Sequence, residues 1–176
     1  MGVTIMKNFK IILFAFIILA GTLFSTVAIA ESSLGFALGT TRGAGVTYRT
    51  LPDKDSGAKL GWQFTGLPYV TPESGFISGG ISAIYALDRG KHGMLYASLG
   101  IGAVKAWENC LETSDEDENC KEESHWGIGI GPGIGFELRF WSNFGLALDV
   151  PLAVVYGDGE FKGIYPVPNT SIVYNW

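Results

Sequence analysis

Bulky apolar residues alternate with small or polar residues along most of the chain after residue 30. The clearest case runs from Phe144 to Tyr156, where Phe, Leu, Val and Tyr hold every even position. A period of two residues is typical of a β-strand, whose successive side chains point to opposite faces of the sheet. Because Pro151 cannot donate a hydrogen bond, we expect a local bulge there. Similar alternation elsewhere predicts eight strands in all, at residues 33–41, 45–51, 58–67, 76–87, 94–107, 125–140, 144–157 and 169–176.

The two faces of these strands indicate the class of barrel. A soluble lipocalin-like barrel would turn its bulky residues inward and its charged residues outward. Here the second face is mainly Gly, Ala and Ser, which suits the crowded interior of an eight-stranded barrel. The bulky face then meets lipid, because closure of the barrel pairs the backbone donors and acceptors. The sequence therefore predicts an all-β, eight-stranded antiparallel up-and-down transmembrane β-barrel. A soluble periplasmic lipid-binding barrel is the alternative.

Polar side chains on the small-residue face predict a network inside the lumen, formed by Arg49, Lys59, Gln63, Glu137, Arg139, Asp149 and Asn175. Tryptophans lie near strand ends, where a membrane barrel places its aromatic girdles. The predicted girdle residues are Trp107 and Trp126 at one end, and Trp141 and Trp176 at the other.

The predicted connections alternate in length, as expected for a barrel with short periplasmic turns and longer outward loops. The short turns are 52–57, 88–93 and 141–143, which places both termini in the periplasm. The outward loops are 67–75, 108–124 and 157–168. The remaining outward connection, 41–44, is short and departs from this pattern.

The first thirty residues predict a signal peptide for the Sec export route. Lys7 and Lys10 precede an apolar run, and the segment ends Ala28-Ile29-Ala30, which is typical of a cleavage site. An uncleaved membrane anchor is the alternative. Residues 31–176 then form one domain. The net charge is −5 for the whole chain, and removal of two lysines makes it more acidic, which argues against a nucleic-acid partner.

The end of the chain supports a family resemblance. Ile172, Tyr174 and Trp176 alternate up to the last residue, and with the signal peptide and the eight alternating segments they resemble the small outer-membrane barrels typified by OmpX and the OmpA membrane domain. The resemblance implies the outer membrane of a Gram-negative bacterium as the location, and a monomer. It implies as partners the outer-membrane lipid, lipopolysaccharide and the barrel-insertion machinery, which would read these three residues. Phenylalanine is the more usual last residue in those families.

The 108–124 loop is strongly acidic and contains both cysteines. In an exported chain, Cys110 and Cys120 are expected to form a disulfide. Asp115, Asp117 and Asn119 have the first spacing of a calcium loop, but Cys120 replaces its glycine. We therefore expect a solvated loop that could contact an extracellular partner. Weak divalent-cation binding is the alternative, and no cofactor or resident metal is expected.

The predicted activity is structural or adhesive, without catalysis. A lipid A-modifying enzyme is one alternative, because Ser124-His125 stands at the outer rim of the sixth strand. The similar PagL deacylase has its serine two residues after the histidine, where this chain has Gly127. A narrow pore is the other alternative, although eight strands leave little lumen.

Overall fold

The computed structural model describes residues 30–71, 74–108, 123–141 and 143–176. Residues 31–176 belong to one compact unit. None of the helices in the described ranges is long and apolar enough to cross a membrane. The strands within these ranges are β1 (Ala30–Leu38), β2 (Gly45–Pro52), β3 (Leu60–Val70), β4 (Ser74–Arg89), β5 (Gly93–Glu108), β6 (Glu123–Phe140), β7 (Phe144–Gly157), β8 (Glu160–Pro166) and β9 (Asn169–Asn175).

These strands form one antiparallel sheet that closes on itself. Their order is β6-β5-β4-β3-β2-β1-β9-β7-β8, and β6 also pairs with β7. Strands β8 and β9 lie along the same edge of β7 in one register, with Leu152 opposite Pro166 and Asp149 opposite Asn169. Together they fill a single position in the wall. The predicted eight-stranded antiparallel barrel is therefore confirmed.

Two prolines explain why this eighth wall position is divided. The expected bulge at Pro151 is wrong, because the β6–β7 pairing keeps one register from Gly127–Gly157 to Phe140–Phe144. The carbonyl of Pro151 accepts a hydrogen bond from Val167 N at 3.1 Å, but proline has no N–H to return. Pro168 follows, so the neighbouring strand is interrupted at 167–168. The predicted 157–168 loop is also wrong in part, because it contains β8.

The burial pattern shows which face of the wall is inside. Along β5 and β7, buried and exposed residues alternate for most of the strand. The exposed positions carry bulky apolar side chains, such as Phe36 with 67% exposed and Ile134 with 65% exposed. The buried positions include charged side chains, such as Arg49 and Glu137, at 0% and 1% exposed. This distribution is the inverse of that in a water-soluble protein.

Candidate functional site in the barrel lumen

The connection between β1 and β2 folds into the barrel. Strand β1 ends at Leu38, and residues 39–44, here called the inner loop, turn into the lumen. The sequence prediction of a strand to residue 41 and an outward turn at 41–44 is therefore wrong. Glycines on three strands make room for this backbone. A Cβ placed at Gly80, Gly100, Gly102 or Gly129 would contact the inner-loop backbone.

The inner loop is fixed by its own glycines and by a hydrogen bond to the wall. Gly43 and Gly45 have φ angles of 76° and 132°, a region that side chains disfavour. Ala44 N donates to Ser78 Oγ on β4 at 2.8 Å. The loop is therefore held against β4, and its arginine points into the lumen.

Arg42 is the centre of the first buried polar group, here called the Arg42 cluster. Its Nη2 atom lies 3.2 Å from Asp149 Oδ2 and 3.0 Å from the Tyr96 hydroxyl. Its Nη1 atom donates to Gln63 Oε1 at 3.2 Å. Ser98 Oγ donates to the same Asp149 oxygen at 2.9 Å. A charge this deeply buried needs an opposite charge and hydrogen bonds, and the cluster supplies both from three strands of the wall, β3, β5 and β7.

Glu137 is the centre of a second buried group, here called the Glu137 cluster. Arg49 Nη2 lies 2.5 Å from Glu137 Oε2, and Arg139 Nε donates to Glu137 Oε1 at 3.1 Å. Arg139 also pairs with Glu31, at 2.6 Å between Nη1 and Oε1. The two carboxylates of Glu137 and Glu31 therefore balance the charges of Arg49 and Arg139, and the first residues of β1 are joined to β6.

Apolar side chains occupy much of the remaining interior near the two clusters. They are Leu51, Ile84, Ala86, Met94, Tyr96 and Ala147. All of them are buried, so with the inner loop and both clusters they occupy this part of the lumen.

Six of the seven predicted network residues are buried or half-buried, in three places. Arg49, Glu137 and Arg139 meet in the Glu137 cluster, and Gln63 and Asp149 meet in the Arg42 cluster. Asn175 is buried near the end of the chain, where its amide donates to the Asn143 carbonyl at 3.1 Å.

The expectation for Lys59 is wrong. Lys59 is exposed just before β3 begins, and its Nζ lies 6.0 Å from the ring centroid of Tyr85. Tyr85 is exposed, so this lysine stands outside the lumen. The apolar and polar residues of the sequence alternate one residue past the end of the strand, which begins only at Leu60.

Aromatic residues surround both ends of the wall. At one end, here called the terminal end, the rings of Phe140, Trp141, Phe144, Tyr174 and Trp176 form a connected series with centroid distances of 5.2–6.4 Å. At the opposite end, here called the loop end, the Trp126 and Tyr156 rings are 5.6 Å apart. The ring centroid of Trp107 lies 5.9 Å from Lys105 Nζ. Ile172, predicted to act with Tyr174 and Trp176 in insertion, is exposed on β9.

The candidate catalytic residues Ser124 and His125 are exposed at the loop end of β6. His125 Nδ1 lies 3.4 Å from Asp158 Oδ2. Trp126 N donates to Asp158 Oδ1 at 3.0 Å, and this bond, assisted by His125, holds the pKa of Asp158 below its ordinary value. Asp158 therefore ties the β7–β8 turn to β6.

Several predicted residues lie outside the described ranges. They include Cys110, Cys120 and the candidate calcium ligands Asp115, Asp117 and Asn119. Among the described residues, no group of three or more His, Cys, Asp or Glu side chains could hold a metal ion.

The closed eight-stranded barrel has the fold of the small outer-membrane β-barrels of known structure. The solved structures similar to this chain include the following three. The N-terminal β-barrel domain of Pseudomonas aeruginosa OprF matches with a TM-score of 0.50 and 14% identity, over 84% of this chain and 96% of that chain. The attachment invasion locus protein Ail of Yersinia pestis, in complex with the heparin analogue sucrose octasulfate, matches with a TM-score of 0.45 and 16% identity, over 84% and 97%. Neisserial surface protein A matches with a TM-score of 0.38 and 17% identity, over 83% and 91%.

The OprF likeness supports the fold of this chain. No protein-family model matches the chain, and neither does any curated protein sequence.

Proposed function

We propose that residues 31–176 form an integral outer-membrane β-barrel with a closed lumen and a structural or surface-contact role. The observation that carries this proposal is the inverted burial, with bulky apolar side chains outside and charged side chains inside. Moving one such Leu, Ile or Phe side chain from water into hydrocarbon gains about 1.5–3 kcal/mol. A belt of them around the barrel is therefore stable in lipid and unfavourable in water, which disfavours the soluble periplasmic barrel.

The height of the belt fits a bilayer. On β5 the outward-facing residues begin at Leu95 and reach the first outward lysine at Lys105. Ten residues at roughly 3.3 Å each, tilted by about 40°, rise about 25 Å, which matches the apolar band of such barrels. Trp126, directly opposite Lys105, would lie at the outer interface, and the rings of the terminal end at the periplasmic one.

The closed lumen favours a structural role over a pore. The inner loop lies against glycines of β4, β5 and β6, and the Arg42 cluster connects it to β3, β5 and β7. Any water path would have to cross these buried groups.

The partner assignments belong to the same proposal. Outer-membrane lipid and lipopolysaccharide would surround a monomeric barrel, and the insertion machinery would recognise Ile172, Tyr174 and Trp176. The acidic 108–124 loop would contact an extracellular partner. We assign no catalytic role to His125, because Gly127 stands at the position where the similar deacylase has its serine. Asp158, which His125 contacts, also accepts a hydrogen bond from Trp126 N and so bridges two strands.

Membrane fractionation combined with gel electrophoresis tests this proposal. A closed barrel keeps its hydrogen-bonded wall in detergent until it is heated, so boiled and unboiled samples should migrate differently. We expect the mature chain in the outer-membrane fraction with such a shift. Recovery as a soluble periplasmic protein without a shift would contradict the proposal.

A further inference from the structure

Within the residues that the structure describes, the wall of the barrel is incomplete on one side of the loop end. Strand β1 pairs with β9 only as far as Leu38, opposite Thr170, and β2 begins at Gly45 because the inner loop has left the wall. Among the described residues, β8 pairs only with β7, and residues 67–70 of β3 pair only with β4. The gap between β8 and residues 67–70 is here called the side opening.

The inward face changes character at the level of the inner loop. On the terminal side of this loop, inward side chains such as Arg49, Ile84 and Tyr96 are fully buried. On the other side, the first inward side chains are apolar and accessible: Leu67 is 36% exposed, Val104 38% and Tyr165 48%. Nearer the rim the same face carries the exposed polar side chains of Glu108 and His125. Strand register places these residues inside the wall, because Leu67 and Val104 are both opposite buried Ser78, and Tyr165 is opposite buried Ala153. These side chains, with Tyr69, Phe76 and Val155, line what is here called the upper chamber.

The inner loop forms the floor of this chamber. Ser78, beside Leu67 and Val104, accepts the hydrogen bond from Ala44 N. The chamber is therefore separated from the polar lumen below it. Its accessible apolar surface would be unfavourable in contact with water alone.

The side opening connects the chamber to the lipid-facing belt. On one side of the gap, Ile164 and Pro166 are exposed on the outer face of β8, opposite Val154 and Leu152 of the belt. On the other side, Pro68 and Val70 are exposed on the outer face of β3. The β7 partners of Ile164 and Pro166 lie farther from the loop end than Tyr156 does. The lower part of the opening therefore lies within the proposed bilayer.

We propose that the upper chamber takes up a hydrocarbon chain of a lipid, which enters from the surrounding bilayer through the side opening. This inference rests on the proposed membrane location. Apolar side chains directly above the floor and a gap that is continuous with the belt fit an acyl chain, whose only requirement is removal of its methylenes from water. The polar residues nearer the rim would face the end of the chamber that is open to water. The chamber is a binding site with no chemical step.

Photo-crosslinking tests the inference. The mature barrel is placed in phospholipid nanodiscs with a fatty acid that carries a mid-chain diazirine, irradiated, and mapped by peptide mass spectrometry. We expect adducts on the outward-facing Leu99 and Ile101, which report bilayer contact, and on the inward-facing Val104 or Tyr165. No adducts are expected on Ile84, which lies on the far side of the inner loop.

A matched pair of variants sharpens the test. Val104→Trp fills the chamber and should lower adduct formation at Tyr165 by about tenfold, the change expected when two methylenes of a bound chain lose their contact. Ala103→Trp places the same aromatic side chain on the outer face of the same strand and should leave these adducts unchanged. The heat-dependent gel shift shows that each variant is folded.

The mapping of the unsubstituted protein decides the question even if a variant fails to fold. Adducts on Leu99 and Ile101 but on none of the chamber residues would overturn the inference and leave the membrane location intact. Absence of adducts on Leu99 and Ile101 would overturn the membrane location, and the inference with it.

Discussion

Glu137→Gln should destabilise the barrel by about 3–5 kcal/mol, the usual cost of removing one partner from a buried ion pair. Glu137 contacts both Arg49 and Arg139, so the neutral amide leaves Arg49 without its carboxylate in a fully buried position. The substitution preserves the size of the side chain, so the effect reports charge. Urea unfolding of the barrel in phospholipid vesicles, followed by the heat-dependent gel shift, measures it.

Glu160→Gln is the matched control for this prediction. Glu160 pairs with Lys162 at 3.3 Å, but its side chain is 76% exposed, and such surface pairs contribute about 0–1 kcal/mol. We expect an unfolding midpoint close to that of the unsubstituted protein. Equal midpoints for Glu137→Gln and Glu160→Gln would show that the Glu137 cluster does not stabilise the barrel.

Gly80→Val should open the lumen. A Cβ at this position would overlap the backbone of Arg42 and Gly43, so the inner loop must move away from β4. We expect the free energy of unfolding to fall by about 1–3 kcal/mol because of overpacking. We also expect the variant to conduct ions in planar bilayers, where the unsubstituted barrel should conduct little.

Gly79→Val is the matched control for the open lumen. Gly79 lies on the outer face of the same strand, where a Cβ would be 3.8 Å from the nearest other atom. The lumen of this variant should therefore remain closed. A folded Gly80→Val barrel that conducts no more than Gly79→Val would show that the inner loop does not close the lumen.

The sequence predicted the wall well because alternation is a local signal. Strand β7 has the predicted bounds, and β5 and β6 differ from prediction by at most two residues at either end. These strands carry long, regular series of apolar residues on one face. The prediction missed β8, because Gly163 interrupts its alternation, Gly159 stands directly before it, and the prolines at 166 and 168 indicate a loop.

The contents of the lumen were harder to predict, because they depend on contacts between distant residues. Arg42 was missed, since a single arginine in a short connection does not show that the connection turns inward. Glu31 was missed because it stands at the start of the domain and meets Arg139 only through barrel closure. One signal was present: glycines of β4, β5 and β6 fall in register around the inner loop, with Gly80 opposite Gly102 and Gly102 opposite Gly129. Aligned glycines on neighbouring strands indicate that another segment of backbone approaches closely.

The contact of the bulky outer face with lipid is the central claim, and spin labelling tests it most directly. Single cysteines are placed at Leu99, Ile134 and Glu160 in a chain whose Cys110 and Cys120 are replaced by serine, and each is labelled with a nitroxide in phospholipid vesicles. At 99 and 134, which are outward-facing and exposed, we predict frequent collisions with oxygen and few with a water-soluble nickel chelate. At 160, beyond the loop-end aromatic residues, we predict the reverse. Nickel accessibility at 99 and 134 equal to that at 160 would contradict a membrane-spanning barrel.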